Sequence, residues 1–172
     1  MSACSSSSPV VRALAPDDVD ALQDLLESVP SYAERITGYP PGASDGLSAL
    51  ITVPEGFDPS CKHGLGLWDD DRLLAFADVL VGYPDPAAAF VGLLVVRGGE
   101  HRRGLGRRMH DAVVDLARSS PAVTRLRLGI VATNAAGAEP FWRTLGYGPT
   151  GEVKPYRYDH LVSSVALWER PL

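Results

Sequence analysis

The sequence is poor in the residues that bind metal ions or carry redox chemistry. Its 172 residues include two cysteines, Cys4 and Cys61, and four histidines. The histidines are scattered, and neither cysteine belongs to a zinc-ligand or redox spacing. A disulfide is not expected, because Cys4 belongs to a predicted terminal tail and we expect a reducing compartment. The sequence therefore predicts no metal site.

Long apolar runs and an excess of positive charge are also missing. No segment approaches the roughly 20 apolar residues of a membrane span. The first residues, MSACSSSSP, lack the basic and apolar regions of a signal peptide. We therefore expect a cytoplasmic protein that does not bind membranes, with a disordered tail at residues 1–9 and one domain at residues 10–172. The net charge of −5 argues against a general nucleic-acid binder.

Glycine and arginine are concentrated in one short segment, Gly98 to Arg108. An apolar run typical of a buried strand precedes it, Phe90 to Val96, and an amphipathic helix pattern follows it. The first turn of such a helix carries unpaired N–H groups and the positive end of the helix dipole, which together favour a phosphate. Gly104 and Gly106 would allow a ligand to approach the backbone closely. Five arginines add positive charge nearby: Arg97, Arg102, Arg103, Arg107 and Arg108. The alternative interpretation is an ordinary glycine turn before a helix with a solvated basic face.

The remaining pattern predicts an α/β domain. Short helices are expected after Pro16, around Tyr32 to Thr37 and at Ser44 to Ile51, and a longer one from Gly104 to about Ser119. Strands are expected at residues 10–14, 63–68, 73–82, 87–96, 124–131, 150–156 and 161–169. The long helix lies between strands 87–96 and 124–131, which predicts a βαβ unit with a parallel strand pair.

Two segments resemble the GNAT superfamily of acyl-CoA N-acyltransferases. Val96, Gly104 and Gly106 match the family's motif A, V-x4-Q/R-x-x-G-x-G/A, although His101 stands where the family has Gln or Arg. A second segment, NAAGAEPFWRTLGY from Asn134 to Tyr147, is similar to the family's N-x-x-A-x-x-F/L-Y-x-x-x-G-F/Y. Two motifs in the right order are more specific than either one alone.

The resemblance implies a mixed, mostly antiparallel central sheet of about six or seven strands, flanked by helices, with one parallel pair that splays apart. It also implies acetyl-CoA as the co-substrate, with its pantetheine arm between strands 88–96 and 124–131. Homodimers are frequent in the family. The resemblance predicts these cofactor-binding residues: Leu94, Val95, Val96, His101, Arg102, Arg103, Gly104, Leu105, Gly106, Arg107, Asn134, Phe141 and Trp142.

Acyl transfer to an amine needs a base, since an alkylamine has a pKa of about 10.4. Asp78 lies within the otherwise apolar run LLAFADVLV, where a carboxylate needs a partner or has a raised pKa. We therefore predict Asp78 as the base. The alternative is an Asp at a solvent-facing or edge position, or one that is bound to a structural partner. Glu139 and Glu152 are further candidates.

The group that protonates the leaving thiolate is less directly indicated. The family often has a tyrosine at the position of Trp142, which offers no titratable proton. Tyr158, with Tyr156 beside it, is the predicted replacement, but both also fit ordinary sheet positions, and solvent could supply the proton. Aromatic residues that could line an acceptor pocket, or equally belong to core or surface, are Tyr32, Tyr39, Phe57, Trp68 and Tyr83, with acids at Glu34 and residues 69–71.

The predicted function is transfer of an acetyl group from acetyl-CoA to a primary amine of a small-molecule or peptide acceptor, by direct attack. One alternative is an acyl-CoA-binding protein of the same fold with little turnover. A second is a nucleic-acid binder that uses the basic helix face. A dinucleotide-binding Rossmann protein is disfavoured, because the glycine pair of GLG has no third glycine three residues later.

Overall fold

The computed structural model describes residues 8–172. Residues 1–7, which include Cys4 and most of the predicted tail, lie outside the described residues. Residues 8–172 form seven strands: β1 (Val10–Ala13), β2 (Lys62–Asp69), β3 (Arg72–Val81), β4 (Ala88–Val96), β5 (Arg125–Val131), β6 (Gly148–Tyr158) and β7 (Leu161–Pro171). The same part of the chain contains five α-helices: α1 (Val19–Glu27), α2 (Pro30–Thr37), α3 (Asp45–Ile51), α4 (Leu105–Arg118) and α5 (Ala135–Thr144).

All seven strands form one sheet in the order β1-β2-β3-β4-β5-β7-β6. Neighbouring strands are antiparallel except for β4 and β5, which are parallel and connected through α4. The predicted fold class is confirmed, including the parallel pair. None of the helices in residues 8–172 is long and apolar enough to cross a bilayer.

The two faces of the sheet carry separate apolar clusters. On one face, α4 buries Met109, Val113 and Ala117 against β2, β3 and β4, because these residues recur at helical spacing. On the other face, α1 buries Leu22 and Leu25 against Phe76 and Val95. We call these the α4 face and the α1 face. Their division matters because a cavity lies where the sheet between them opens.

Two irregularities in β4 open the sheet. The parallel pairing with β5 runs from Ala88↔Arg125 to Val91↔Leu128 and ends there, so the two strands separate beyond Val91. On the opposite edge, Asp78 of β3 pairs with Leu93 and Val79 pairs with Val91. Gly92 is therefore the extra residue of a β-bulge, a feature that bends the strand and redirects its side chains.

Candidate active site

A cavity of about 580 Å³ occupies the gap between the separated ends of β4 and β5. Its floor is formed by β4 residues 91–96 and β5 residues 128–130. The start of α4 and one side of α5 form the α4-face wall, and α2 contributes Ser31, Tyr32 and Arg35 from the other direction. The cavity therefore connects the two faces of the sheet, and its size suits a small organic ligand.

The glycine-rich turn forms the end of the cavity that faces α4. Gly104 is the N-cap of α4 with φ +74°, a left-handed conformation that glycine adopts without strain. No side chain among the described residues caps this helix start. The N–H groups of Leu105, Gly106 and Arg107 in the first turn consequently lack intrahelical acceptors and are available to an anion.

Gly106 is required for space rather than for its backbone conformation. A Cβ at this position would lie 3.1 Å from Cε2 of Phe141 and 3.6 Å from Cγ2 of Val96. Helix α4 therefore packs directly on α5 and β4 at the point where both line the cavity. Any larger residue would push these walls apart or fill the anion site.

The arginines of this segment have different partners. His101, Arg102 and Arg107 line the cavity. Arg103 instead pairs with Glu100, which also accepts from Arg72 at 2.9 Å. Not all five predicted arginines are near the glycine turn's cavity. Arg97 donates to the carbonyl of Leu73 and pairs with Asp24. Arg108 donates to the carbonyl of Pro9.

The second predicted motif lies across the cavity from the glycine turn. Asn134, Phe141 and Trp142 all line the cavity. The side-chain oxygen of Asn134 accepts a hydrogen bond from Nε of Arg35 at 2.8 Å, and the hydroxyl of Thr133 donates to the carbonyl of Arg35. Because its oxygen is engaged, Asn134 offers the cavity its NH₂ group, a donor of two hydrogen bonds.

Asp78 lies at the bulge of β4. Its Oδ2 occupies the space in which a Gly92 side chain would lie, since a Cβ there would be 2.5 Å away. Its Oδ1 accepts from Nζ of Lys62 at 2.6 Å, and both side chains are largely buried, with exposed fractions of 14% and 5%. Burial raises the pKa of Asp78, and the Lys62 ammonium opposes that rise. Gly92 is part of the cavity wall, so this carboxylate lies directly behind it.

The other acid–base candidates lie elsewhere. Tyr158 is half exposed near the turn between β6 and β7, outside the cavity lining. The hydroxyl of Tyr156 donates to the carbonyl of Ile36 at 2.6 Å. Glu152 pairs with Arg127 and Lys154, and Glu139 lies 3.7 Å from Arg143, one turn along α5. Their catalytic roles stay predictions.

Of the aromatic residues proposed for an acceptor pocket, Tyr32 lines the cavity. Burial raises the pKa of its phenol to about 12. Tyr39 instead contacts Asp159 and His160, Phe57 and Tyr83 pack edge to face, and Trp68 belongs to the core of the α1 face. In residues 8–172, no group of three or more His, Cys, Asp or Glu side chains is arranged so that it could hold a metal ion.

Sequence reasoning missed Lys62, Gly92 and Arg35. Lys62 was accessible in principle: folding the predicted β2–β3 hairpin at its acidic turn pairs Gly64 with Asp78 and brings Lys62 diagonally beside it. The bulge at Gly92 and the contact of Arg35 with Asn134, 99 residues away in sequence, have no comparable local signal.

Comparison with known proteins identifies the family. A model of the Acetyltransferase (GNAT) family matches residues 24–147, which is more than half of the chain and includes both motifs. The chain belongs to the GNAT acetyltransferase family. It is therefore an acetyltransferase by family, and the GNAT family generally uses acetyl-CoA. No protein of curated function matches the sequence.

Solved structures share the GNAT fold over nearly the whole chain. An acetyltransferase from Thermus thermophilus is 22% identical with a TM-score of 0.72, covering 97% of this chain and 99% of that one. A GCN5-related N-acetyltransferase from Kribbella flavida is 21% identical with a TM-score of 0.70, covering 96% and 98%. The ribosomal-protein-S18-alanine N-acetyltransferase from Escherichia coli is 19% identical with a TM-score of 0.67, covering 95% and 93%. At these identities the likeness concerns the fold.

Proposed function

We propose that this GNAT protein transfers an acetyl group from acetyl-CoA to a primary amine of a small-molecule or peptide acceptor, by direct attack of the amine. The observation that carries the proposal is the cavity that connects both faces of the sheet, with the uncapped start of α4 at one face and a largely buried carboxylate behind its wall near the other. These are the two features that the reaction needs, a holder for the co-substrate and a base for the amine.

The cofactor side of the cavity fits coenzyme A. The uncapped first turn of α4 offers several N–H groups to a diphosphate, and Arg102 and Arg107 add positive charge beside it. Asn134 can donate to the amide carbonyls of a pantetheine arm, while Phe141 and Trp142 supply apolar surface. The predicted set is compatible with this role except for Arg103, whose side chain pairs with Glu100.

The unpaired edge of β4 supports stabilisation of the thioester oxygen. Beyond Val91, no described strand pairs with the edge of β4 that faces β5, so backbone N–H groups there can donate to the oxygen as negative charge develops. Asp78 is proposed to accept the proton of the attacking amine, directly or through a water molecule. Burial raises the pKa of Asp78, and the ammonium of Lys62 opposes this rise and so favours the ionised carboxylate that a base requires.

A thiol-release assay with acetyl-CoA and a panel of primary amines and amino-terminal peptides tests the proposal. We expect release that depends on the amine, with the acetylated product identified by mass spectrometry. In Asp78→Asn, turnover should fall about a hundredfold or more while coenzyme A binding, measured by calorimetry, is retained. Binding without turnover by the wild-type protein across the panel would instead indicate the acyl-CoA-binding alternative.

A further inference from the structure

The departing sulfur of the proposed reaction takes up a proton, and Trp142 has no titratable proton to give. Among the described residues that line the cavity, few side chains carry a proton at neutral pH that they could donate to a ligand. Glu100 is held ionised, because Arg103 and Arg72 lower its pKa. The arginines keep their protons, and His101 belongs to the phosphate-binding turn. Tyr32 is the tyrosine among these lining residues, and its phenol carries a proton.

We propose that Tyr32 is the general acid, which donates its phenolic proton to the sulfur as the acetyl group is transferred. This inference rests on the function proposed above. Tyr32 lies in the first turn of α2 and faces the gap between β4 and β5 together with Arg35. No hydrogen bond from its hydroxyl to any residue in the described part of the chain is present, so the proton is free for a ligand.

The chemistry balances with Asp78 as the acceptor of the amine proton and Tyr32 as the donor to sulfur. The amine nitrogen forms a bond to the acetyl carbon and loses a proton to Asp78, and the carbon–sulfur bond breaks with its electron pair on sulfur. The sulfur takes the proton of Tyr32, and the phenolate recovers one through solvent from Asp78. The products are the amide and the free thiol.

The environment of Tyr32 is suited to this role. Burial raises the pKa of the phenol to about 12, so the group is fully protonated at neutral pH. The same partly apolar surroundings raise the pKa of a thiolate that forms there, which brings donor and acceptor closer in proton affinity. The positive charge of Arg35 acts in the opposite direction on the phenol and favours the transient phenolate.

Other tyrosines have different engagements. The Tyr156 hydroxyl donates to the carbonyl of Ile36, and the Tyr147 hydroxyl lies 3.0 Å from Nε2 of His110 inside the core. Tyr158 is half exposed outside the cavity lining. Tyr32 thus combines a free hydroxyl with a place on the cavity wall.

Tyr32→Phe is the direct test. We expect kcat for the acetylation of an amine to fall about a hundredfold, with KM for acetyl-CoA and calorimetric coenzyme A binding unchanged. Tyr83→Phe is the matched control, because it also removes one hydroxyl from a partly buried tyrosine whose ring packs against Phe57 and Phe90, and it should retain full activity. A loss in Tyr158→Phe but not in Tyr32→Phe would overturn the assignment.

A change of leaving group separates proton donation from a structural role. With the selenium analogue of acetyl-CoA, the departing selenolate is much less basic and needs no proton. The deficit of Tyr32→Phe should then shrink by at least about tenfold, whereas an equal deficit with both donors would overturn the proposal. If the wild type turns over and Tyr32→Phe is equally active, the general-acid role of Tyr32 is refuted and the proposed acetyl transfer is not. Failure of the wild type to acetylate any amine would refute the proposed function itself.

Discussion

The two sides of the cavity are built by different means. On the α4 face, the proposed co-substrate site consists of backbone N–H groups and of space left by missing side chains, at Gly104 and Gly106. On the α1 face, the proposed acid–base groups are side chains: Asp78 with Lys62 from neighbouring strands, and Tyr32 from a helix. Backbone groups suit the diphosphate of the proposed co-substrate, which is the same in every reaction. Side chains can be replaced to suit a different acceptor while the fold stays the same.

The largest expected effect is a loss of coenzyme A binding at the first turn of α4. In Gly106→Val, the new side chain would collide with Phe141 and Val96 and cover the first-turn N–H groups. We expect coenzyme A affinity to fall at least about a hundredfold, or roughly 2.7 kcal/mol, by calorimetry. Gly148→Val is the control, because no described atom lies within 4 Å of its hypothetical Cβ. Unchanged affinity in a folded Gly106→Val protein would contradict the role of this turn.

Gly92→Ala should affect catalysis at the α1-face side of the cavity, where Asp78 lies, and should leave coenzyme A binding intact. The new methyl group would displace the carboxylate of Asp78, while the backbone of residue 92 has no positive φ that would strain an alanine. We expect kcat to fall about a hundredfold with coenzyme A affinity retained, since small displacements of a reacting group are costly. The same change made in Asp78→Asn should cost much less. Additive losses would show that Gly92 acts independently of Asp78.

Lys62→Met tests how the carboxylate is kept basic. Removal of the ammonium removes the interactions that lower the pKa of Asp78, so this pKa rises further. Because a base must be ionised, activity would be lost at a higher pH on acidification than in the wild type, and the acid limb of the pH–rate profile should move upward. Lys154→Met, which removes an exposed partner of Glu152, should leave the limb in place. An unshifted limb in Lys62→Met would argue against Asp78 as the base.

The smallest effect on catalysis is expected beneath the α4 face, at His110. Burial lowers the pKa of this histidine to about 4 from 6.5. A lowered folded-state pKa means that the full stability is present above pH 6.5 and is lost as the pH falls toward 4. This contributes about 3 kcal/mol to the free energy of unfolding. Urea unfolding of His110→Gln across this range should lack that component, and an identical pH dependence in both proteins would exclude His110 as its source.

The same contrast between the two sides explains how far prediction from sequence could go. Every predicted strand and helix occurs in the structure within a few residues, because alternation, helical periodicity and turn glycines are local properties. Twelve of the thirteen residues predicted to bind the cofactor line the cavity, with Arg103 as the exception. Whether they bind coenzyme A is what the calorimetric experiment above measures.

The acceptor side was less accessible to prediction. The sequence marks Asp78 as a charge in an apolar strand, but the pairing of Asp78 with Lys62 depends on the register of β2 and β3. Tyr32 was one of several aromatic candidates, and only the placement of α2 over the gap between β4 and β5 distinguishes it from Tyr39 or Tyr83. Arg35 reaches Asn134 across 99 positions of the chain.

The sequence by itself determined the order of the elements, the glycine turn at the start of α4 and the family. These depend on residues that are close together in the chain, so their physical constraints are written in short patterns. The tertiary structure alone decided that β4 leaves β5 after Val91 and that Gly92 bulges. It also decided that Tyr32 lines the cavity and that Asp78, paired with Lys62, lies behind Gly92 of the cavity wall. Strand register and helix placement result from the packing of the whole core, in which many distant contacts contribute together and no short segment is sufficient.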